Sequence, residues 1–143
     1  MPQPDWNWKL ERRFPSEAAP GHDAIAKLLA ELERVGWPSR DVYGIHLSLE
    51  EALVNAIRHG NQSDPGKEVQ LRFYLADDYV RIEIQDDGPG FDPAQLPDPT
   101  SEEHLDRPHG RGVLLIRTFM TRVDYAGRGN LVIMEKEKSA SGN

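Results

Sequence analysis

Residues 46 to 61 read HLSLEEALVNAIRHGN, a stretch that is apolar at helical spacing yet keeps a narrow polar line. Placed about 100° apart around a helix, Ile45, Leu49, Ala52, Leu53 and Ala56 share one face, and Tyr43, Leu47, Val54 and Ile57 widen it. What remains is a strip of Ser48, Glu51, Asn55, Arg58 and His59. A helix apolar around most of its circumference packs on more than one side, so such a strip either meets solvent or lines a cleft. Both Glu and Asn are common on exposed faces, but Asn is a poor mid-helix residue, which favours an amide with a task. An amide oxygen is a hard neutral donor suited to Mg²⁺. Glu51, one turn from Asn55, can accept a proton from an attacking hydroxyl.

The flanking chain supplies the rest of a layered domain. This helix is predicted from about Arg40 to His59, with Ser39 as its N-cap and Gly60 or Asn61 as the left-handed residue that ends it. Before it, Ile25, Leu28, Leu29, Leu32 and Val35 define a helix over 21–38, stopped by Gly36 and Pro38. WKLERRFP (8–15) alternates as a first strand. Residues 68–86 alternate twice around Ala76-Asp77-Asp78, a hairpin, and RVDYAG with NLVIMEKE closes a second hairpin around GRGN. Between the hairpins, GRGVLLIRTFMTRV reads as a glycine turn opening a helix. Residues 93–109 are polar, lack periodicity and hold Pro93, Pro97, Pro99 and Pro108, as a functional lid does. The tail is expected to fray. The order predicts an α/β two-layer sandwich (α+β), with a mainly antiparallel sheet covered by helices on one face, in one domain spanning residues 1–143.

Composition narrows the function. The chain has 143 residues, 38% hydrophobic and 29% charged, as in an ordinary soluble protein. No stretch is long and apolar enough for a membrane span, and the N-terminus lacks a signal-peptide core, so a cytoplasmic address is expected. Zero cysteines exclude a disulfide framework, a thiolate metal site and a cysteine nucleophile. A net charge of −7, 17 basic against 24 acidic residues, disfavours a phosphate-backbone binder.

Two glycine turns complete the candidate site. QDDGPGFD follows directly on a strand, with Asp86 placed to accept from an amino group such as that of adenine. D-G and P-G are also plain turn dipeptides, but Gly88 and Gly90 flanking Pro89 suit a backbone that something approaches closely. Gly110 and Gly112 in HGRGVLLI open a helix, and bare N–H groups there suit phosphate, although an ordinary helix entry has the same look. Neither a P-loop nor a dinucleotide-binding fingerprint is present.

The ordered set EALVNAIRHGN, DDGPGFD and HGRGVLLI resembles the GHKL superfamily of ATP-binding domains, whose architecture is called the Bergerat fold, over about residues 10–136. Within it, the short length, the E-A-x-x-N-A-x-x-H-G form and the compact lid (about 92–109) resemble the anti-sigma factor serine/threonine kinases. The resemblance implies ATP and Mg²⁺ as cofactors, with Asn55 on the metal, Glu51 as general base and Asp86 on adenine. It implies that Gly88 and Gly90 shape the adenine pocket and that Gly110, Arg111 and Gly112 close on the phosphates. It further implies a STAS-type anti-sigma factor antagonist as phosphoacceptor and a sigma factor as second partner, with no direct nucleic acid or membrane contact; dimerisation is a family habit. His59 matches the family motif but also suits a helix C-terminal dipole, Asp87 fits a turn, and Arg58 fits either phosphate or a surface ion pair. Two rival readings remain: a regulator that holds a sigma factor and uses ATP only to choose partners, and the ATP-binding part of a histidine kinase. Trp6 and Trp8 have no role in this scheme.

Overall fold

The computed structural model describes residues 5–89, 116–127 and 129–139. Its alternating segments become strands because each can bury one face: β1 (Trp8–Pro15), β2 (Glu68–Leu75), β3 (Tyr79–Asp86), β4 (Arg122–Ala126) and β5 (Leu131–Glu137). They form one five-stranded sheet in the order β1-β2-β3-β5-β4, with every neighbouring pair antiparallel. Register carries the apolar positions across it, Leu10 opposite Phe73, Phe73 opposite Ile82, and Ile82 opposite Met134. Phe73, Ile82 and Met134 are fully buried there under α1 (Ala18–Arg34) and α2 (Ser39–Val54), which contribute Ile25, Leu28, Leu32, Ile45, Leu49 and Leu53.

Among the described residues the other face of the sheet carries no helix; a ladder of ions covers it. Arg72 Nε (2.5 Å) and Arg81 Nε (2.8 Å) donate to the two oxygens of Glu83, and Arg81 also reaches Glu135 at 2.9 Å. Burial pushes the Glu83 carboxyl up, but the two guanidiniums outweigh it and hold the group below the usual carboxylate range. Trp6 lies on this outer face, its ring 5.7 Å from Tyr74 and 6.3 Å from Tyr79. Trp8, paired with the core residue Leu75, packs on the opposite, core face; the bend at Asn7 separates the two rings.

Helix ends depart from the sequence expectation in instructive ways. α1 begins at Ala18 rather than Gly21, because Pro20 is tolerated in a first turn whose N–H groups have no intrahelical partner. It ends in a Schellman motif: Gly36 takes φ 85°, Gly36 N–H bonds Glu33 O (3.1 Å) and Trp37 N–H bonds Leu32 O (3.0 Å). Pro38, not Ser39, is the N-cap of α2; its extended backbone presents the carbonyl that Asp41 and Val42 N–H groups bond. The last stretch, Asn55–Gly60, is a π-helical turn rather than α-helix. Neither Gly60 nor Asn61 is left-handed: Asn61 has φ −85°, and the positive φ angles fall on Gln62 and Ser63. The wider turn lets Asn61 N–H reach Ala56 O and Ser63 N–H reach Ile57 O, so the helix ends without a glycine cap.

The chain after β5 is fastened to α2. Asp41, 2% exposed, accepts from Ser139 N–H and Ser139 Oγ, both at 2.7 Å, and Lys138 Nζ donates to Val35 O at the end of α1. Asp41→Ala strands two half-buried donors, and an expected loss of about 1–3 kcal/mol of unfolding free energy follows. Urea denaturation measures it; an unchanged midpoint would show that the fastening carries no stability.

Candidate functional site

At the C-terminal end of β3, the π-helical turn and the β4–β5 connection enclose a cavity of about 260 Å³. Its apolar wall comes from Ala52, Ala56, Ile84, Ile116, Tyr125 and Val132, and its polar groups are Asn55, His59, Asp86 and Asn130. A mostly apolar cleft with a few convergent polar groups has the make-up of a small-molecule site. Burial pushes the Tyr125 phenol up to about 12, against the smaller pull of the Arg117 charge, so that wall stays neutral.

Asp86 is held from several directions. Its N–H bonds Asn130 O (2.9 Å), its O accepts from Asn130 Nδ2 (2.8 Å), and its Oδ1 accepts from Gly88 N–H (2.8 Å). Gly60 and Gly88 make room: a Cβ on Gly60 would collide with the Asp86 carboxylate, and one on Gly88 with Gly60 O. Gly60 therefore serves close approach rather than an unusual φ. Gly60→Ala is expected to cost about 1–3 kcal/mol of stability through overpacking and to displace the Asp86 carboxylate. Gly66→Ala, where a methyl meets only the flexible Asp64 side chain, is the control. Equal denaturation midpoints for the two variants would refute the crowding argument.

Asn55 Oδ1 is buried and accepts no hydrogen bond among the described residues. A buried polar atom in that condition is costly unless a partner arrives from elsewhere, and a hard neutral oxygen on a cavity wall is what Mg²⁺ takes. The donor set fits. Among the described residues no cluster of three or more His, Asp or Glu is placed to hold an ion.

Of the polar strip, the structure brings Asn55 and His59 onto the cavity, joined by Asp86 and Gly60. Glu51 is half-buried, one turn before Asn55 and outside the lining; Ser48 is fully buried and Arg58 exposed. The neighbouring Glu50 is otherwise engaged, its Oε1 3.1 Å from His22 Nδ1 and 3.3 Å from His46 Nε2. Asp87 lies in the turn, where its Oδ2 accepts from Glu68 N–H. Gly88 is buried there; Gly90, Gly110, Arg111, Gly112 and the lid at 92–109 lie outside the described residues. Sequence reasoning did not find Asn130, Tyr125 or Gly129. Asn130 ends a hairpin turn, where Asn is ordinary, so nothing marked it as a cavity residue.

Comparison with known proteins adds an independent line. The sequence model of the histidine kinase-like ATPase domain matches residues 14–136. An anti-sigma F factor of Oceanobacillus iheyensis is 33% identical over 125 residues, covering 82% of this chain and 82% of that protein. An anti-sigma F factor of Clostridium perfringens is 31% identical over 120 residues, 80% of this chain and 83% of that protein. The serine-protein kinase RsbW of Oceanobacillus iheyensis is 25% identical over 133 residues, 87% and 83% respectively.

Proposed function

Because the chain belongs to the family of histidine kinase-like ATPase domains, we propose that its cavity binds Mg-ATP. On this reading the protein is an anti-sigma factor serine/threonine kinase, in line with the names of its relatives. The observation that carries the reading is the line of polar groups along α2 and its π-helical turn. Gly60 lies against the Asp86 carboxylate, Asn55 is one turn back, and Glu51 is another, about 6 Å further along by helical rise. A nucleotide laid along that line has its amino group at Asp86, its phosphates at Asn55 and its terminal phosphorus near Glu51.

In this scheme Asp86 accepts a hydrogen bond from adenine, and the apolar wall of Ile84, Ile116 and Val132 excludes water from the base. Asn55 Oδ1 would hold Mg²⁺, which would neutralise phosphate charge. Glu51 takes the proton of a Ser or Thr hydroxyl on the partner as that oxygen bonds to the γ-phosphorus. The bond to the β–γ bridging oxygen breaks, and ADP leaves. Such a transfer asks the protein mainly for positioning and charge neutralisation. The family resemblance assigns the phosphates to Gly110, Arg111 and Gly112 and the adenine pocket to Gly88 and Gly90. A STAS-type antagonist is the proposed acceptor and a sigma factor the protein held between transfers, in the cytoplasm.

The test is to recover the stable protein partner from cells and incubate it with this chain, Mg²⁺ and γ-labelled ATP. Acid-stable label on a partner Ser or Thr is expected. Uptake of ATP without label on any recovered partner would leave a nucleotide-dependent binding regulator and remove the kinase. Label on a histidine of this chain would favour the histidine kinase alternative.

A further inference from the structure

Asn61 is fully buried, and its side chain joins three parts of the chain that are far apart in sequence. Its Nδ2 donates to Ser16 Oγ and to Glu68 O, both at 3.0 Å, and its Oδ1 accepts from Asp87 N–H at 2.8 Å. Both amide hydrogens are used, and the oxygen is spent on the peptide that joins Asp86 to Asp87. Asp87 returns the connection, its Oδ2 accepting from Glu68 N–H at 2.8 Å. The ring of bonds ties the residue after the π-helical turn, the first residue of β2 and the turn after β3 into one unit. On its other side the same turn is held by Asn130, which both donates to Asp86 O and accepts from Asp86 N–H.

We infer that Asn61 is a positioning residue for base selection, setting the Asp86 carboxylate through the Asp87 peptide without touching the nucleotide. This rests on the proposed reading of the cavity as an ATP site. A satisfied buried amide elsewhere in the core would support the fold as a whole. Among the described residues this one accepts a bond from the backbone that aims Asp86, so its loss is felt where Asp86 meets a base. Gly88 N–H, which bonds Asp86 Oδ1, is the next group along that backbone and moves with it.

The readout is discrimination between ATP and ITP, which differ at the position of the exocyclic amino group. The full chain with Mg²⁺ is titrated calorimetrically with each nucleotide, for the parental protein, Asn61→Ala and Asn61→Asp. The parental protein is expected to prefer ATP. Asn61→Ala is expected to lose about tenfold of that preference, chiefly through weaker ATP binding, with ITP affinity nearly unchanged. Asn61→Asp keeps an acceptor for Asp87 N–H and loses the donors, so it retains most of the preference. Ser16→Ala, which removes one outer partner and leaves the Asp87 bond, retains the preference as well and serves as the folded probe should the position 61 variants unfold, since Asn61→Asp also sets a buried carboxylate against Glu68 O. A parental ATP:ITP ratio in Asn61→Ala, or equal losses for both nucleotides in it, overturns the inference while leaving the ATP site standing. Should Asn61→Ala not fold, an Asn61→Asp or Ser16→Ala protein whose preference collapses overturns it likewise. A parental protein that takes up no ATP overturns the ATP reading and the inference together.

Discussion

Glu51→Ala leaves ATP uptake near the parental affinity and lowers transfer to the partner hydroxyl by about 10²–10⁴-fold, the usual contribution of a positioned general base. Two features of the structure lead to this expectation. Glu51 lies outside the cavity lining, so its removal takes nothing from the wall that holds the base. It also stands on α2 one turn from the Asn55 oxygen, which has no partner among the described residues, on the side away from Asp86. The loss should therefore fall on kcat, with KM for ATP little changed, which is the signature of a group acting in the transition state. Glu50→Ala is the matched control, since its carboxylate is committed to His22 and His46; it should transfer at nearly the parental rate. Parental transfer by Glu51→Ala would remove Glu51 from the reaction, and equal losses for both variants would point to disturbance of the helix.

Asp86→Asn is expected to weaken ATP binding about 10- to 100-fold, corresponding to about 1.5–3 kcal/mol for a hydrogen bond to a charged group. The substitution keeps the size of the side chain and an Oδ1 to accept from Gly88 N–H, and the backbone bonds to Asn130 do not involve the side chain of residue 86. What changes is that a carboxylate oxygen becomes an amide N–H₂, which meets the amino group of the base donor to donor. Stability should hold near the parental value while affinity falls, a combination that thermal denaturation and calorimetry on the same sample resolve. Unaltered ATP affinity would mean that the base is recognised elsewhere on the cavity wall.

Much of the architecture could be read before any coordinates. β2 and β3 alternate at period two over their whole length, which fixes both the strand and the face it buries, and the hairpin appears where Ala76-Asp77-Asp78 predicts it. The apolar spacing of α1 and α2 survives as well, since burial of Leu28, Leu32, Ile45 and Leu49 depends on that spacing alone. Ends were less secure. Ser39 looks like an N-cap by composition, but the carbonyl of Pro38 begins the helix, because the fixed backbone of proline satisfies the same requirement.

The site divides along the same line. Asn55, Asp86 and Gly88 stand out in the sequence by type and neighbourhood, and they meet at one cavity and the turn beside it. Asn61 reads as a helix stop and Asn130 as a turn residue; in the structure one secures the Asp87 peptide and the other the Asp86 peptide.

Local periodicity, turn chemistry and the order of motifs were sufficient to specify a layered domain with an acid and an amide on one helix line, because those properties depend on near neighbours in the chain. Only the tertiary structure decided that Asn55–Gly60 is a π-helical turn and that Gly60 and Gly88 lie back to back beside Asp86. It alone also turned a buried asparagine from the end of a helix to the turn after β3. The glycine contact and the asparagine bond depend on atoms that meet across 25 or more intervening residues, where hydrogen-bond satisfaction and contact distance, not residue propensity, select the conformation.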